Sequence, residues 1–251
     1  MNRNELTDYL DRYLRINEIE DYGPQGLQVE GADEVSRIAF TVDAGLPCID
    51  AAVKVGAQMQ IVHHGVFWGQ AEPLRGGFGR RIHRLFETQL NLYAAHLPLD
   101  AHPEVGNNAE LARILSLVVD SWFCNVKGTD LGVVCSTPEG GIALESLVDT
   151  LTARLGVEPR VLAHGPTTTQ RIAILSGAGA SHAGEAANLG ADTLITGETS
   201  HSQFYSAHDH QINLIFAGHY ATETVGLKAL GRHLNGKFGL ETVFIDLPTG
   251  M

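Results

Sequence analysis

Four stretches of the chain end on residues able to hold or activate a metal ion. The apolar run AQMQIVHHG stops on His63 and His64, and HLPLD sets His96 and Asp100 just beyond a second apolar run. In the second half, TGETSH carries Glu198 and His201, and FAGHYATE carries His219 and Glu223. Imidazole nitrogens delivered together with carboxylate oxygens suit a borderline divalent ion such as Zn, Mn, Fe, Co or Ni, and do not suit calcium. Consecutive residues of a strand point to opposite faces, so His63 and His64 serve different ions instead of chelating one. His219 and Glu223 share a helix face four residues apart, which lets the imidazole bind one ion while the carboxylate spans two. The pattern predicts two divalent ions per chain, held by His63, His64, Asp100, His219 and Glu223. Such paired ions lie roughly 3.5–4 Å apart. His96 is read as a residue that orients the site, and Glu198 and His201 as residues that touch metal or substrate. His83, His102, His164, His182, His208, His210 and His233 are read as ordinary core or capping histidines.

The elements that must position these groups come in two copies. RIAFTVDAGLPCIDAAVKVGAQMQIVHHG from Arg37 aligns without a gap with RIAILSGAGASHAGEAANLGADTLITGET from Arg171, and nine of the aligned pairs are identical. Each copy reads as an apolar strand, a helix of small residues closed by glycine, and a second apolar strand. NLYAAH (91–96) then matches NLIFAGH (213–219), with one extra glycine in the second. The expectation is an α/β fold with two related α/β domains, each a mostly parallel sheet with flanking helices. The boundary is placed at residues 1–125 and 126–251. Ligands of open parallel sheets collect beyond the carboxyl ends of the strands, so the metal site is expected in the interdomain cleft. Residues 126–135 are read as one strand, 142–155 as a helix, 160–163 as a further strand, and ETVFIDLP as a closing strand.

Composition narrows the classes of function. A 44% apolar and 18% charged chain of 251 residues is ordinary for a globular protein with a sizeable core. No apolar run approaches the roughly 20 residues needed to span a bilayer, and the N-terminus lacks a signal-peptide pattern, so a cytoplasmic location is expected. A net charge of −12 argues against general nucleic-acid binding. Arg75, Arg80, Arg81 and Arg84 around a glycine-rich stretch either hold a phosphate or simply solvate a helix start. Cys48, Cys124 and Cys135 lack paired spacing and read as reduced thiols.

DYGPQGLQVEG, IVHHGVFW, HLPLD with GNNAELA, TGETSH and AGHYATETVGLKAL, in that order, resemble the GTP cyclohydrolase I type 2 homologue family, also called the Nif-three-like dinuclear metal proteins. The resemblance spans nearly the whole chain and is to the short form of the family, without an inserted domain. One departure is Gln25, where asparagine is common. The resemblance implies a dinuclear site on His63, His64, Asp100, His219 and Glu223, and a toroidal homohexamer with its metal sites facing a cavity. It implies a small-molecule substrate, with a nucleotide such as GTP as one candidate. His96, Glu198 and His201 would then relay protons during catalysis. The cysteine-containing zinc site of the well-known cyclohydrolase has no counterpart here. Three functions stay open at this point. The leading one is a metal-dependent hydrolase of a nucleotide or similar phosphorylated compound. The others are a non-enzymatic metal-handling or scaffold protein and an interaction module.

Overall fold

Both copies of the repeated segment fold as a strand, a helix and a parallel strand, and they do so in the same register. In the computed structural model, which describes residues 1–250, Ile38 sits opposite Met59 and Phe40 opposite Ile61. In the second copy Ile172 sits opposite Thr193 and Ile174 opposite Ile195, the equivalent residues at a constant offset of 134. Chance similarity between two unrelated segments would not fix the register.

The chain forms two compact units, Met1–Val105 with Gly226–Leu247, and Gly106–Val225 with the C-terminal residues from Pro248. The first contains α1 (Arg3–Tyr13), β1 (Gly26–Val29), β2 (Arg37–Asp43), α2 (Leu46–Lys54), β3 (Met59–His64), α3 (Gly76–Thr88), β4 (Asn91–Ala94) and α4 (Leu97–Asp100). The second contains α5 (Asn107–Ile114), β5 (Val118–Val126), β6 (Thr129–Ser136), β7 (Ile142–Ala143), α6 (Leu144–Leu155), β8 (Arg160–Leu162), β9 (Thr168–Thr169), β10 (Arg171–Leu175), α7 (Ala183–Asn188), β11 (Thr193–Thr196), α8 (Phe204–Asp209) and β12 (Asn213–Phe216). α9 (His219–Phe238) starts in the second unit, and its residues from Gly226, with β13 (Glu241–Phe244), belong to the first. The expected boundary at 125/126 therefore falls inside β5. The units divide elsewhere because β5 pairs with β6 and so belongs to the second sheet, while β13 pairs in parallel with β2 and so returns the C-terminal part of the chain to the first.

The first sheet runs β1-β4-β3-β2-β13, with only β1 antiparallel to its neighbour. The second runs β5-β6-β10-β11-β12-β8, in which β10, β11 and β12 are parallel and the outer pairings antiparallel. The antiparallel arm exists because the stretch expected as one strand is broken by Lys127 and Gly128. Both have positive φ (51° and 90°), which makes a tight hairpin turn between β5 and β6. Residues 142–155 begin with the two-residue strand β7 before α6 starts. In the repeat of α2, the sequence GASH lacks Pro47's counterpart, and the helix opens as a 3₁₀ turn before α7.

Strand residues alternate between two apolar layers. In the first unit Ala39, Val62 and Leu92 pack with Ile49, Phe78, Ile82 and Leu85 of the helices. In the second, Val133, Ile172, Ile174, Ile195 and Ile215 pack with Leu111, Leu147 and Leu151. Burial of each of these Val, Leu, Ile and Phe side chains contributes about 1.5–3 kcal/mol.

The duplication also preserves a buried polar clamp at the start of the third strand. Asn91 accepts from Gly31 N (2.7 Å) and donates to Ala32 O (2.8 Å). Asn213 accepts from Gly165 N (2.8 Å) and donates to Pro166 O (2.8 Å). Gly31/Gly165 and Ala32/Pro166 keep the offset of 134. Because Asn213 is fully buried, Asn213→Ala leaves a backbone donor and an acceptor without partners. The expected cost is about 1–3 kcal/mol, read as a lower urea midpoint at unchanged slope.

Candidate metal centre

In the first unit the ends of β3 and β4 deliver three imidazoles to one place. The buried β3 stops on His63 and His64, and β4 runs out at Ala94 just before His96. Ring nitrogens of His63, His64 and His96 all lie within 4.8 Å of one another. His96 caps α4, whose short turn carries Asp100 into the interior.

Each ring is fixed through Nδ1. His63 Nδ1 lies 3.0 Å from Ala95 O, a group that only accepts, so Nδ1 carries a proton and, in the neutral ring, Nε2 carries the lone pair. His64 Nδ1 lies 2.9 Å from Asp43 Oδ1, and His96 Nδ1 lies 2.9 Å from Asp21 Oδ1. Three anchored Nδ1 atoms present three Nε2 atoms, the tethering expected of metal-ligating histidines. His63 Nε2 stands 3.6 Å from Asp100 Oδ2. That is too long for a hydrogen bond and near the spacing of two ligands on one ion with bonds of about 2.0–2.2 Å.

The second unit repeats the device with other residues. His219 opens α9 at the end of β12, and its Nδ1 is 3.1 Å from Glu198 Oε1. Its Nε2 is 3.0 Å from Oε1 of Glu223, one helical turn further on and almost wholly buried. The His219 pKa is raised to about 9, first by the hydrogen bond to Glu223, then by that carboxylate's charge and by Glu198, against the opposing effect of burial. A cluster that pulls a proton this strongly has the charge and donor set to hold a divalent cation instead.

Superposing the repeats in sequence shows what each copy contributes. His64 is equivalent to Glu198, His96 to His219, and Asp100 to Glu223, the last two pairs sharing the same four-residue step. Where the first copy has Asp43 and His63, the second has Gly177 and Gly197. Gly177 has φ +64°, and a Cβ there would lie 2.6 Å from Glu223 Oε1 and 3.3 Å from His219 Nε2. Its carbonyl also receives the N–H groups of Gly197 (2.8 Å) and Glu198 (3.0 Å), holding the turn that presents Glu198. Gly177→Ala is therefore expected to lower metal affinity about tenfold or more, together with a left-handed backbone cost of about 1–2 kcal/mol. Metal content after dialysis and the melting temperature check both parts.

Each expected site residue thus has a definite place. His63, His64, His96 and Asp100 gather in the first unit, and Glu198, His219 and Glu223 in the second. His201 stands apart from these contacts, exposed on the turn His201–Gln203, where it lines a small cavity with Arg160, Leu162, Thr199, Ser200 and Phe204. Two residues escaped the sequence reading. Asp43 was marked only by its mismatch with Gly177 in an otherwise matching strand. Asp21, within DYGPQG, receives Leu97 N–H on Oδ2 (2.9 Å) while its Oδ1 holds His96. Burial raises its pKa, but the hydrogen bond and charge of His96, with the N–H groups of Tyr22 and Leu97, outweigh that and bring it below the usual carboxylate value.

Parallel strands that end on tethered imidazoles and buried carboxylates define an α/β protein with metal-capable groups at its strand ends. The chain belongs to the Duf34/NIF3 (NGG1p interacting factor 3) family, whose sequence profile matches residues 1–250. It is 44% identical over 252 residues to the GTP cyclohydrolase 1 type 2 homolog of Pyrococcus abyssi, covering all of both chains. The Escherichia coli K12 protein of the same name is 40% identical over 250 residues, with 99% of each covered. Among solved structures, TTHA1606 from Thermus thermophilus superposes with a TM-score of 0.90 at 42% identity over the full length of both chains.

Proposed function

We propose that the chain is a divalent-metal-dependent hydrolase of a nucleotide or similar small phosphorylated compound. His63, His64 and Asp100, together with His219 and Glu223, are proposed to hold two ions per chain. The observation that carries this reading is the common tethering of four histidines through Nδ1, with Nε2 of His63 and of His219 presented beside the buried carboxylates of Asp100 and Glu223. Such ions, when bound, supply Lewis acidity towards a phosphoryl or carbonyl oxygen and make water a competent nucleophile near neutral pH.

The protein's own groups do the rest. Asp21 keeps a proton on His96 Nδ1, which leaves His96 Nε2 to take or give a proton to the reacting group. Glu198 plays the matching part for His219 by holding its Nδ1. His201 and Arg160 border the same small cavity and suit an anionic part of a substrate. The name borne by the relatives makes GTP one candidate, with opening of the imidazole ring at C8 and release of formate as the reaction.

The test is release of formate and phosphate from a nucleotide panel that includes GTP, by protein reconstituted to two ions per chain. A variant combining His63→Ala and His219→Ala runs alongside. Turnover by the wild type alone is expected. Silence from metal-loaded wild type would sink the hydrolase and favour a metal-handling or scaffold protein. The toroidal hexamer belongs to the same proposal, and sedimentation at six chain masses is the expected result. No helix among the described residues is long and apolar enough to cross a membrane.

A further inference from the structure

A second cluster of reactive groups lies in the second unit, on residues that the metal centre does not use. Cys124, near the end of β5, is 2% exposed and has φ +62°, a left-handed conformation that is unusual for a residue with a side chain. Its Sγ lies 3.4 Å from His182 Nε2. His182 Nδ1 lies 2.9 Å from Glu185 Oε2, and the other oxygen of that carboxylate receives Cys124 N–H at 3.0 Å. Glu185 thus fixes both the backbone that carries the thiol and the ring that faces it. With a carboxylate on Nδ1, the neutral imidazole carries its proton there and offers Nε2 to the S–H. Thiol, imidazole and carboxylate stand in the order that activates a nucleophile.

We propose that Cys124, His182 and Glu185 form a peroxide-sensitive thiol site, in which Cys124 is selectively oxidised by small hydroperoxides. His182 Nε2 takes the thiol proton, and Glu185 stabilises the resulting imidazolium. The thiolate attacks one peroxide oxygen. An S–O bond forms as the O–O bond breaks, so sulfur loses two electrons and the peroxide gains them. The leaving hydroxide or alkoxide collects the imidazolium proton and departs as water or alcohol, leaving a cysteine sulfenic acid that a small thiol reduces back. Burial of Sγ selects for a small neutral oxidant.

Asp130, across the strand pair, accepts from Asn125 Nδ2 at 2.8 Å, and the His210 ring lies against Gly184. The chain supplies its own controls. Burial raises the pKa of Cys48 and pushes that of Cys135 up to about 12, which disfavours the thiolate in both.

The full-length protein is treated with limiting hydrogen peroxide beside a 1,3-dicarbonyl probe that captures sulfenic acid, and label at each cysteine is read by peptide mass spectrometry. Label on Cys124 is expected to exceed that on Cys48 and Cys135 by about tenfold or more, and to fall about tenfold in His182→Gln. Glu185→Gln is expected to give a smaller loss. Equal labelling of the three cysteines, or an unchanged rate in His182→Gln, overturns the proposal. A second reading does not depend on access by any probe. Thiolate ultraviolet absorbance followed on a pH titration, wild type minus Cys124→Ser, is expected to appear at lower pH in the wild type than in His182→Gln. Coincident curves also overturn the proposal.

Discussion

Glu223→Gln is expected to lower divalent-metal affinity by more than the roughly 10–100-fold typical of residues that merely orient a ligand. Glutamine keeps the shape of the side chain and removes its charge, so the buried position stays filled while one anionic donor is lost. Two measurements separate this from general damage. Metal retained after dialysis against a chelator should drop, and the His219 imidazole, followed by NMR, should titrate well below about 9, because Glu223 is the first cause of its elevation. Glu198→Gln makes the contrast. Glu198 holds Nδ1, the nitrogen that faces away from Glu223, and is more exposed than Glu223. Its loss should stay within the orienting range. Equal losses in the two variants would contradict the division between a residue that binds the ion and one that aims the ring. An undiminished metal content in Glu223→Gln would remove the second half of the centre.

The repeat, and with it most of the site, was legible because the two copies align without a gap over elements with strong apolar periodicity. An offset of 134 carries Arg37 to Arg171 and Ile61 to Ile195, and the strand registers obey it. What stayed hidden depends on contacts between residues distant in sequence. Nothing in ETVFIDLP announces that Glu241–Phe244 pairs in parallel with β2, since any free strand edge of that period would accept it. The hairpin at Lys127 and Gly128 was present as a turn signal but lay within an apolar run that also reads as one strand. Asp21 and Asp43 were missed for a different reason. A histidine able to bind metal announces itself by type, but the group behind its Nδ1 can be a carboxylate, as for His64 and His96, or a carbonyl, as for His63. No spacing rule separates these. His182 was read as an ordinary histidine because its partner, Cys124, lies 58 residues away in sequence.

The second large effect is a crossing of two pH dependences. His219 has a folded-state pKa of about 9 against an ordinary value of 6.5, so its protonated form is stabilised by the fold. In the metal-free protein that contribution, of the order of 3 kcal/mol, is fully present below pH 6.5 and is lost as pH rises through about 9. Metal binding runs the other way. An ion on Nε2 must displace the proton that Glu223 holds there, so binding at neutral pH releases a proton from His219. Apparent affinity should rise about tenfold per pH unit below about 9 and level off above it. Calorimetry in two buffers of different ionisation enthalpy counts the released proton, and chelator competition across the same range gives the slope. The two curves have one origin, the pair of carboxylates facing a single imidazole. Glu223→Gln should therefore flatten both at once. A metal affinity independent of pH over this interval would mean that His219 does not bind the ion through the nitrogen that Glu223 faces.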